Sequence, residues 1–211
     1  MEVTEKEIQS FQEVIRDYSE YDFTDYSLNS LRRRLTRILL EYDIEIDQII
    51  SRMRSDPVYM EKIVRKLTVH TTELFRDPPI WKTIRSDLLP TWSDKSSIHI
   101  WHPGCSTGQE IYSMMMLLDE VGMLEKTQLY GTDLNPDVIE SAKKGKYKYH
   151  FNQHYLENFD KVMLSGSGSS TQTGTSNRNH HKPWKRYFTV NEARDSIRMS
   201  DRLRTKPVYK K

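Results

Sequence analysis

The sequence predicts two successive units: a small helical domain, then part of a doubly wound, Rossmann-like α/β sheet. Three observations carry that expectation. Apolar residues recur at helical spacing through about the first 70 positions. From residue 98 the pattern changes to strand, loop, helix, strand, helix, the opening of an α/β sheet. Finally SGSGSSTQTGTSN (165–177) contains no apolar residue and reads as a flexible, solvated linker, taken here as 165–182. The expected domains are therefore 1–70 and 71–211.

Each element has a local reason. Thr4 and Glu7 stand at capping-box spacing before Ile8, Phe11, Ile15 and Tyr18. SLNSLRRRLTRILLEY places Leu28, Leu31, Leu35, Ile38 and Leu39 on one face, with Arg33, Arg34 and Arg37 opposite. EIDQIISRM reads as a third helix. Asp56 caps a fourth, with Pro57 at its first position and Ile63, Val64 and Leu67 facing inward. Asp77 and Pro78 repeat that logic before IWKTIRSDLL. IHIW (98–101) and QLYGTDL (128–134) read as strands, each followed by a helix, QEIYSMMMLLDEVG and NPDVIESAKKG. Asn135 and Pro136 open the latter. RYFTV and SIRMS read as short strands that form a hairpin across NEARD.

Charge and cysteine content narrow the function classes. The 32 basic and 30 acidic residues leave a formal charge of +2, which argues against a surface built throughout for nucleic acid or acidic membranes. The arginine-bearing helix lacks an interleaved aromatic platform, so no nucleic-acid partner is expected. A single cysteine, Cys105, excludes an intrachain disulfide and fits a reducing compartment. The opening MEVTEKEIQS is charged rather than apolar, and no run reaches membrane-spanning length, so the expectation is a cytoplasmic protein without direct membrane insertion.

The chemistry concentrates at HPGCSTGQE (102–110). In dinucleotide-binding sheets the helix after the glycine loop points its positive end at a pyrophosphate, and Glu110 at that place competes with phosphate. Gly104 and Gly108, four apart, also miss the G-x-G-x-x-G form. A ligand with a nucleoside, a positive charge and no phosphate removes the conflict, and S-adenosyl-L-methionine has all three properties. Asp133, at the tip of the second strand, stands where such sheets hydrogen-bond ribose hydroxyls. Each acid also has an ordinary reading: Glu110 as a first-turn dipole partner, Asp133 as a turn or capping residue.

TTELFRDPPIW, GCSTGQEIYS and GTDLNPDVIESAKKGKY resemble the CheR-type chemotaxis-receptor glutamate O-methyltransferases, and the leading helices, including RRLTR, resemble that family's small N-terminal domain. The resemblance covers most of the chain apart from the Ser/Gly/Thr linker. It implies methyl transfer from S-adenosyl-L-methionine to receptor glutamates, giving methyl esters and S-adenosyl-L-homocysteine. It also implies that Thr72 and Arg76 approach the cofactor, that Gly104 belongs to its loop, that Glu110 meets its amino-acid portion and that Asp133 meets its ribose. Arg76 is the catalytic candidate, because a planar guanidinium grips a carboxylate in two places, either the acceptor's or the cofactor's. Its ordinary alternative is a salt bridge with Asp77. Arg33, Arg34 and Arg37 are implied to meet the acidic cytoplasmic domain of a chemotaxis-type receptor; without the resemblance they are a solvated helix face.

Departures from the family pattern are Gln109, where a second glutamate is common, Pro103 before the loop, and His70, where some relatives carry asparagine. His150 with His154, and His180 with His181, do not make a convincing metal set, so no metal is expected. The resemblance also implies a larger sheet than the strands read here, so the chain is expected to be the N-terminal portion of a methyltransferase. An open strand edge then invites a separate chain that supplies the missing half. The alternative function is a non-catalytic receptor-binding or regulatory module.

Overall fold

The computed structural model describes residues 3–68, 72–163 and 183–211. The chain divides into two compact units, Met1–Val69 and His70–Lys211. The linker expected over 165–182, and His70, His180 and His181, lie outside the described residues.

The first unit consists of α1 (Glu5–Tyr18), α2 (Leu28–Tyr42), α3 (Ile46–Ser55) and α4 (Pro57–Leu67). Its helix starts are fixed by side chains that satisfy orphan backbone donors. Thr4 and Glu7 form the reciprocal capping box, and Asp56 accepts from the Tyr59 N–H at 2.9 Å. A second box was not foreseen: the Glu45 N–H donates to Gln48 Oε1 at 2.9 Å. Ile8, Phe11 and Ile15 of α1 are fully buried with Leu31, Leu35, Ile49, Ile63 and Leu67. Each such side chain contributes about 1.5–3 kcal/mol relative to exposure, which binds the four helices into one core. Leu28 departs from its expected inward position and is 40% exposed at the first residue of α2.

The second unit opens with α5 (Pro78–Thr83), which runs on through a π turn (Ile84–Leu88) and a 3-10 turn (Leu89–Trp92). Here the capping expectation is corrected. Asp77 has φ +55°, and its side chain makes no cap hydrogen bond. Then come β1 (Ile98–Pro103), α6 (Gln109–Glu120), β2 (Thr127–Thr132) and α7 (Pro136–Lys144). They are followed by β3 (Lys146–Tyr147), α8 (His154–Met163), β4 (Phe188–Asn191), β5 (Ser196–Met199), α9 (Asp201–Thr205) and β6 (Val208–Lys210).

The main sheet has the order β1–β2–β6 and is parallel throughout, with Ile98 opposite Thr127 and Gly131 opposite Tyr209. This is the expected fold class, a helical domain followed by an α/β unit with a parallel sheet. Gly131 is required where β2 runs under α6, because a Cβ there falls 2.5 Å from Ile111 Cδ1. Nine of the twelve residues of α6 are buried, so the apolar MMMLL run is the centre of this core and not a surface stripe. The expected hairpin is present as β4 and β5, antiparallel, with Asn191 opposite Ser196, and β3 joins it on the other side of β5. Four elements were not read from sequence: α8, the short α9, the two-residue β3 and the third parallel strand β6. Among the described residues β1 pairs with β2 alone.

Candidate functional site

The carboxyl end of β1 turns sharply through three residues with a left-handed backbone. Gly104, Ser106 and Gly108 have φ of +63°, +50° and +91°. The two glycines serve different ends. A Cβ on Gly108 falls 2.8 Å from Ala142 Cβ, so hydrogen there lets the loop press onto α7. A Cβ on Gly104 meets nothing within 4 Å, so this glycine faces open space. The loop is tied to β2 by the Cys105 N–H, which donates to Thr132 O at 2.9 Å. Burial pushes the Cys105 thiol up to about 12, with Asp133 and Glu110 adding to the shift, so it is neutral and unreactive at ordinary pH.

Asp133 follows β2 directly. Its Oδ2 accepts from the Ser106 N–H at 2.9 Å and its Oδ1 from the Asn135 N–H at 2.9 Å. The turn reading of this acid is therefore realised, and the carboxylate is also held fast. Each oxygen keeps acceptor capacity beyond its one backbone partner. Asn135 caps α7 as expected, accepting from the Asp137 N–H at 2.9 Å.

Glu110 is the second residue of α6, and its Oε1 lies 2.8 Å from His102 Nδ1. The hydrogen bond from His102 holds its carboxyl below the usual range, against the opposing effect of burial. The Glu110 side chain is 58% exposed, whereas His102 is 5% exposed. Two carboxylates thus flank one glycine loop at the carboxyl ends of adjacent parallel strands, where α/β sheets bind ligands. That pair of anionic acceptors is repulsive to a pyrophosphate and suits a ligand that brings hydroxyl donors and a cation.

A chain of hydrogen bonds joins this loop to the segment 72–76. Thr107 Oγ1 donates to Gln109 Oε1 at 2.6 Å, Gln109 Nε2 donates to Tyr155 OH at 3.1 Å, and Tyr155 OH donates to Thr72 O at 3.1 Å. This gives the departure at Gln109 a physical role. An amide donates to the tyrosine and leaves its single proton for Thr72, whereas a carboxylate at 109 competes for that proton. Asn158 Nδ2 holds Leu74 O at 3.3 Å, and the Phe75 N–H donates to Ser113 Oγ at 2.8 Å. Phe75 is fully buried at φ +51°, an uncommon backbone state for a bulky residue, between the rings of Trp81 and Phe159. With Leu74 and Phe75 anchored, Thr72 is half-buried and Arg76 is exposed.

Gly104, Glu110 and Asp133 are thus gathered around one loop, Asp133 from the end of β2, and Thr72 is linked to it through Tyr155. Arg76 stands apart from those contacts: its Nε is 3.9 Å from Asp77 Oδ2, the ordinary alternative, and its carbonyl accepts from Trp81 Nε1 at 2.8 Å. Sequence reasoning missed His102, Ser113, Tyr155 and Asn158. The last two sit on α8, whose helical period (Tyr155, Phe159, Val162) was available but unread.

In the helical unit the three arginines divide. Arg33 and Arg37 are exposed on α2. Arg34 is half-buried, donates to Tyr26 OH and to Leu67 O, and lays its guanidinium 5.0 Å from the Tyr26 ring centroid. His154 lies 3.3 Å from Glu73, and the His150 N–H donates to Asp195. Among the described residues no three His, Cys, Asp or Glu side chains are grouped to hold a metal ion.

Comparison with known proteins adds to this geometry. Residues 6–68 match the family model described as "CheR methyltransferase, all-alpha domain", and residues 70–171 match "CheR methyltransferase, SAM binding domain". Over 157 residues the chain is 37% identical to the "Putative methyltransferase Cher3" of Pseudomonas putida, covering 74% of this chain and 58% of that protein. It is 22% identical over 147 residues to the "Chemotaxis protein methyltransferase" of Listeria monocytogenes, covering 68% and 56%. With "Chemotaxis protein methyltransferase 1" of Pseudomonas aeruginosa it shares 28% identity over 125 residues, covering 54% and 46%. The matched region is roughly half of each relative's own length.

Proposed function

The chain belongs to the CheR methyltransferase family, and from that premise we propose that it takes part in methyl transfer from S-adenosyl-L-methionine to glutamate side chains of chemotaxis-type receptors in the cytoplasm. Bound at the glycine loop, S-adenosyl-L-methionine supplies a sulfonium-activated methyl group, and its transfer to a carboxylate oxygen leaves S-adenosyl-L-homocysteine and a methyl ester. A glutamate acceptor is already ionised near neutral pH, so the protein's task is to hold and orient the reactants, with no general base required.

The reading assigns each residue a part. Asp133 accepts from ribose hydroxyls with the capacity its two backbone donors leave. Glu110 attracts the ammonium of the amino-acid end. Gly104 lets the ligand approach bare backbone, and Thr72 borders it from the segment held by Tyr155. Arg76, exposed and only 3.9 Å from Asp77, exchanges that neighbour for a carboxylate of the acceptor or cofactor. Arg33 and Arg37 face the acidic receptor surface. No helix among the described residues is long and apolar enough to cross a membrane.

The observation that carries the proposal is the pair of carboxylates held at one glycine loop, Asp133 by two backbone N–H groups and Glu110 by His102. Calorimetric titration with S-adenosyl-L-homocysteine tests it. Binding by the native chain that Asp133→Ala abolishes supports the site; binding that Asp133→Ala leaves intact overturns it. With labelled S-adenosyl-L-methionine and receptor present, methyl incorporation supports catalysis. Receptor binding without incorporation, under added cofactor, supports a non-catalytic module instead, or a chain that needs a partner to complete its sheet.

A further inference from the structure

His102 does something the proposed reaction does not by itself require. It is the penultimate residue of β1, just before Pro103, on the buried side of the strand with Ile98, where an aliphatic residue would complete the apolar face. The side chain is 5% exposed. Nδ1 lies 2.8 Å from Glu110 Oε1, and since an ionised carboxylate only accepts, Nδ1 carries the proton and donates it. Nε2 is buried and has no hydrogen-bond partner among the described residues. Buried polar atoms left unsatisfied are rare in native proteins and mark places where the polar group is needed for something else.

What it does here is restrain Glu110. That side chain is 58% exposed at the start of α6, and a glutamate so placed, without a partner, samples several rotamers and is hydrated in each. A bond to a ring locked in the core removes that freedom.

We propose that His102 is the positioning residue for the amino-acid end of the cofactor: its Nδ1–H holds the Glu110 carboxylate in one orientation, leaving Oε2 to receive the ligand's ammonium group. This rests on the S-adenosyl-L-methionine site proposed above. Its distinguishing consequence is selectivity within the ligand. S-adenosyl-L-homocysteine has the amino-acid end, whereas methylthioadenosine has the same nucleoside and thioether without it.

Titration of both ligands into the native chain, His102→Phe, His102→Asn and Glu110→Gln tests the assignment. His102→Phe keeps a ring and removes the donor; it is expected to weaken S-adenosyl-L-homocysteine about tenfold, the size of one charge-assisted hydrogen bond, and methylthioadenosine by less than about twofold. His102→Asn, whose amide nitrogen stands near the Nδ1 position, restores most of the loss. Combined with Glu110→Gln, His102→Phe has no further effect, because the two act as one unit. Equal weakening of both ligands by His102→Phe overturns the proposal, since the residue then supports the loop as a whole, and so does failure of His102→Asn to restore binding. If His102→Phe does not fold, imidazole nitrogen spectra of the native chain decide. A His102 ring that responds to S-adenosyl-L-homocysteine and not to methylthioadenosine supports positioning; a ring indifferent to both overturns it. Failure of the native chain to bind either ligand is a different result, which removes the site itself.

Discussion

Two glycines in one loop illustrate how much a single side chain decides. Gly108→Ala adds a methyl group 2.8 Å from Ala142 Cβ at φ +91°, so it combines backbone strain with a clash. We expect it to lower stability by about 2–4 kcal/mol, measured by urea unfolding. Gly104→Ala meets only the strain of φ +63°, about 1 kcal/mol, because its Cβ enters open space. Its larger effect is expected on S-adenosyl-L-homocysteine affinity, since the added methyl occupies the ligand's approach. A loop in which both substitutions act alike on stability and binding contradicts this division. Glu110 gives a pH dependence of definite sign. Its folded carboxyl lies below the ordinary 4.5 because His102 donates to it. The stabilisation is therefore fully present above pH 4.5 and lost as pH falls through the lowered folded value. The melting-temperature difference between the native chain and Glu110→Gln should be constant near pH 6 and shrink progressively below pH 4.5. A difference that grows on acidification contradicts the sign.

At the scale of elements, α8 is the part that gives the 72–76 segment its shape. Tyr155 and Asn158 hold the carbonyls of Thr72 and Leu74, while Ser113 of α6 holds the Phe75 N–H. These bonds keep Phe75 at φ +51°. Tyr155→Phe leaves the ring in the core and removes only the hydroxyl, so Gln109 Nε2 and Thr72 O both lose a partner. The expected cost is about 1–3 kcal/mol, together with faster amide exchange across residues 72–76 and weaker cofactor binding. Unchanged exchange in that segment contradicts the role given to α8. Most elements were legible because their signals are local: Thr4 with Glu7, Asp56 with Pro57, and Asn135 with Pro136 are helix starts written within four residues. The failures are equally physical. At Asp77 the D-P pattern was correct for a helix start, but the residue adopts φ +55° and its side chain makes no cap bond. β3 and β6 are two and three residues long, too short for any period to register, and exist because neighbouring strands supply their hydrogen bonds.

The whole molecule is two units with separate cores, and the proposed functions divide between them. On the helical unit, the division among the arginines predicts separable defects. Arg33→Glu with Arg37→Glu should weaken receptor binding by roughly tenfold or more and lose its effect at high salt, while leaving the unfolding of the helical unit nearly unchanged. Arg34→Ala should instead destabilise that unit by about 1–3 kcal/mol, since Tyr26 OH and Leu67 O lose a charged donor. Loss of receptor binding through Arg34→Ala alone, with stability intact, reverses the assignment.

The sequence by itself determined the two-unit organisation, the parallel α/β start of the second unit and the two acids beside a glycine loop. Periodicity, caps and the clash between Glu110 and a phosphate are properties of adjacent residues. Only the tertiary structure decided which groups hold those acids and that segment in place. His102 meets Glu110 across the strand-to-helix turn, Ser106 meets Asp133 across 27 positions, and Tyr155 meets Thr72 across 83. It also decided that Arg34, identical in type to its neighbours, is committed to Tyr26 and Leu67 within the fold. Such partners are chosen by packing between elements, where distance along the chain carries no information and a side chain's role is set by what the fold brings beside it.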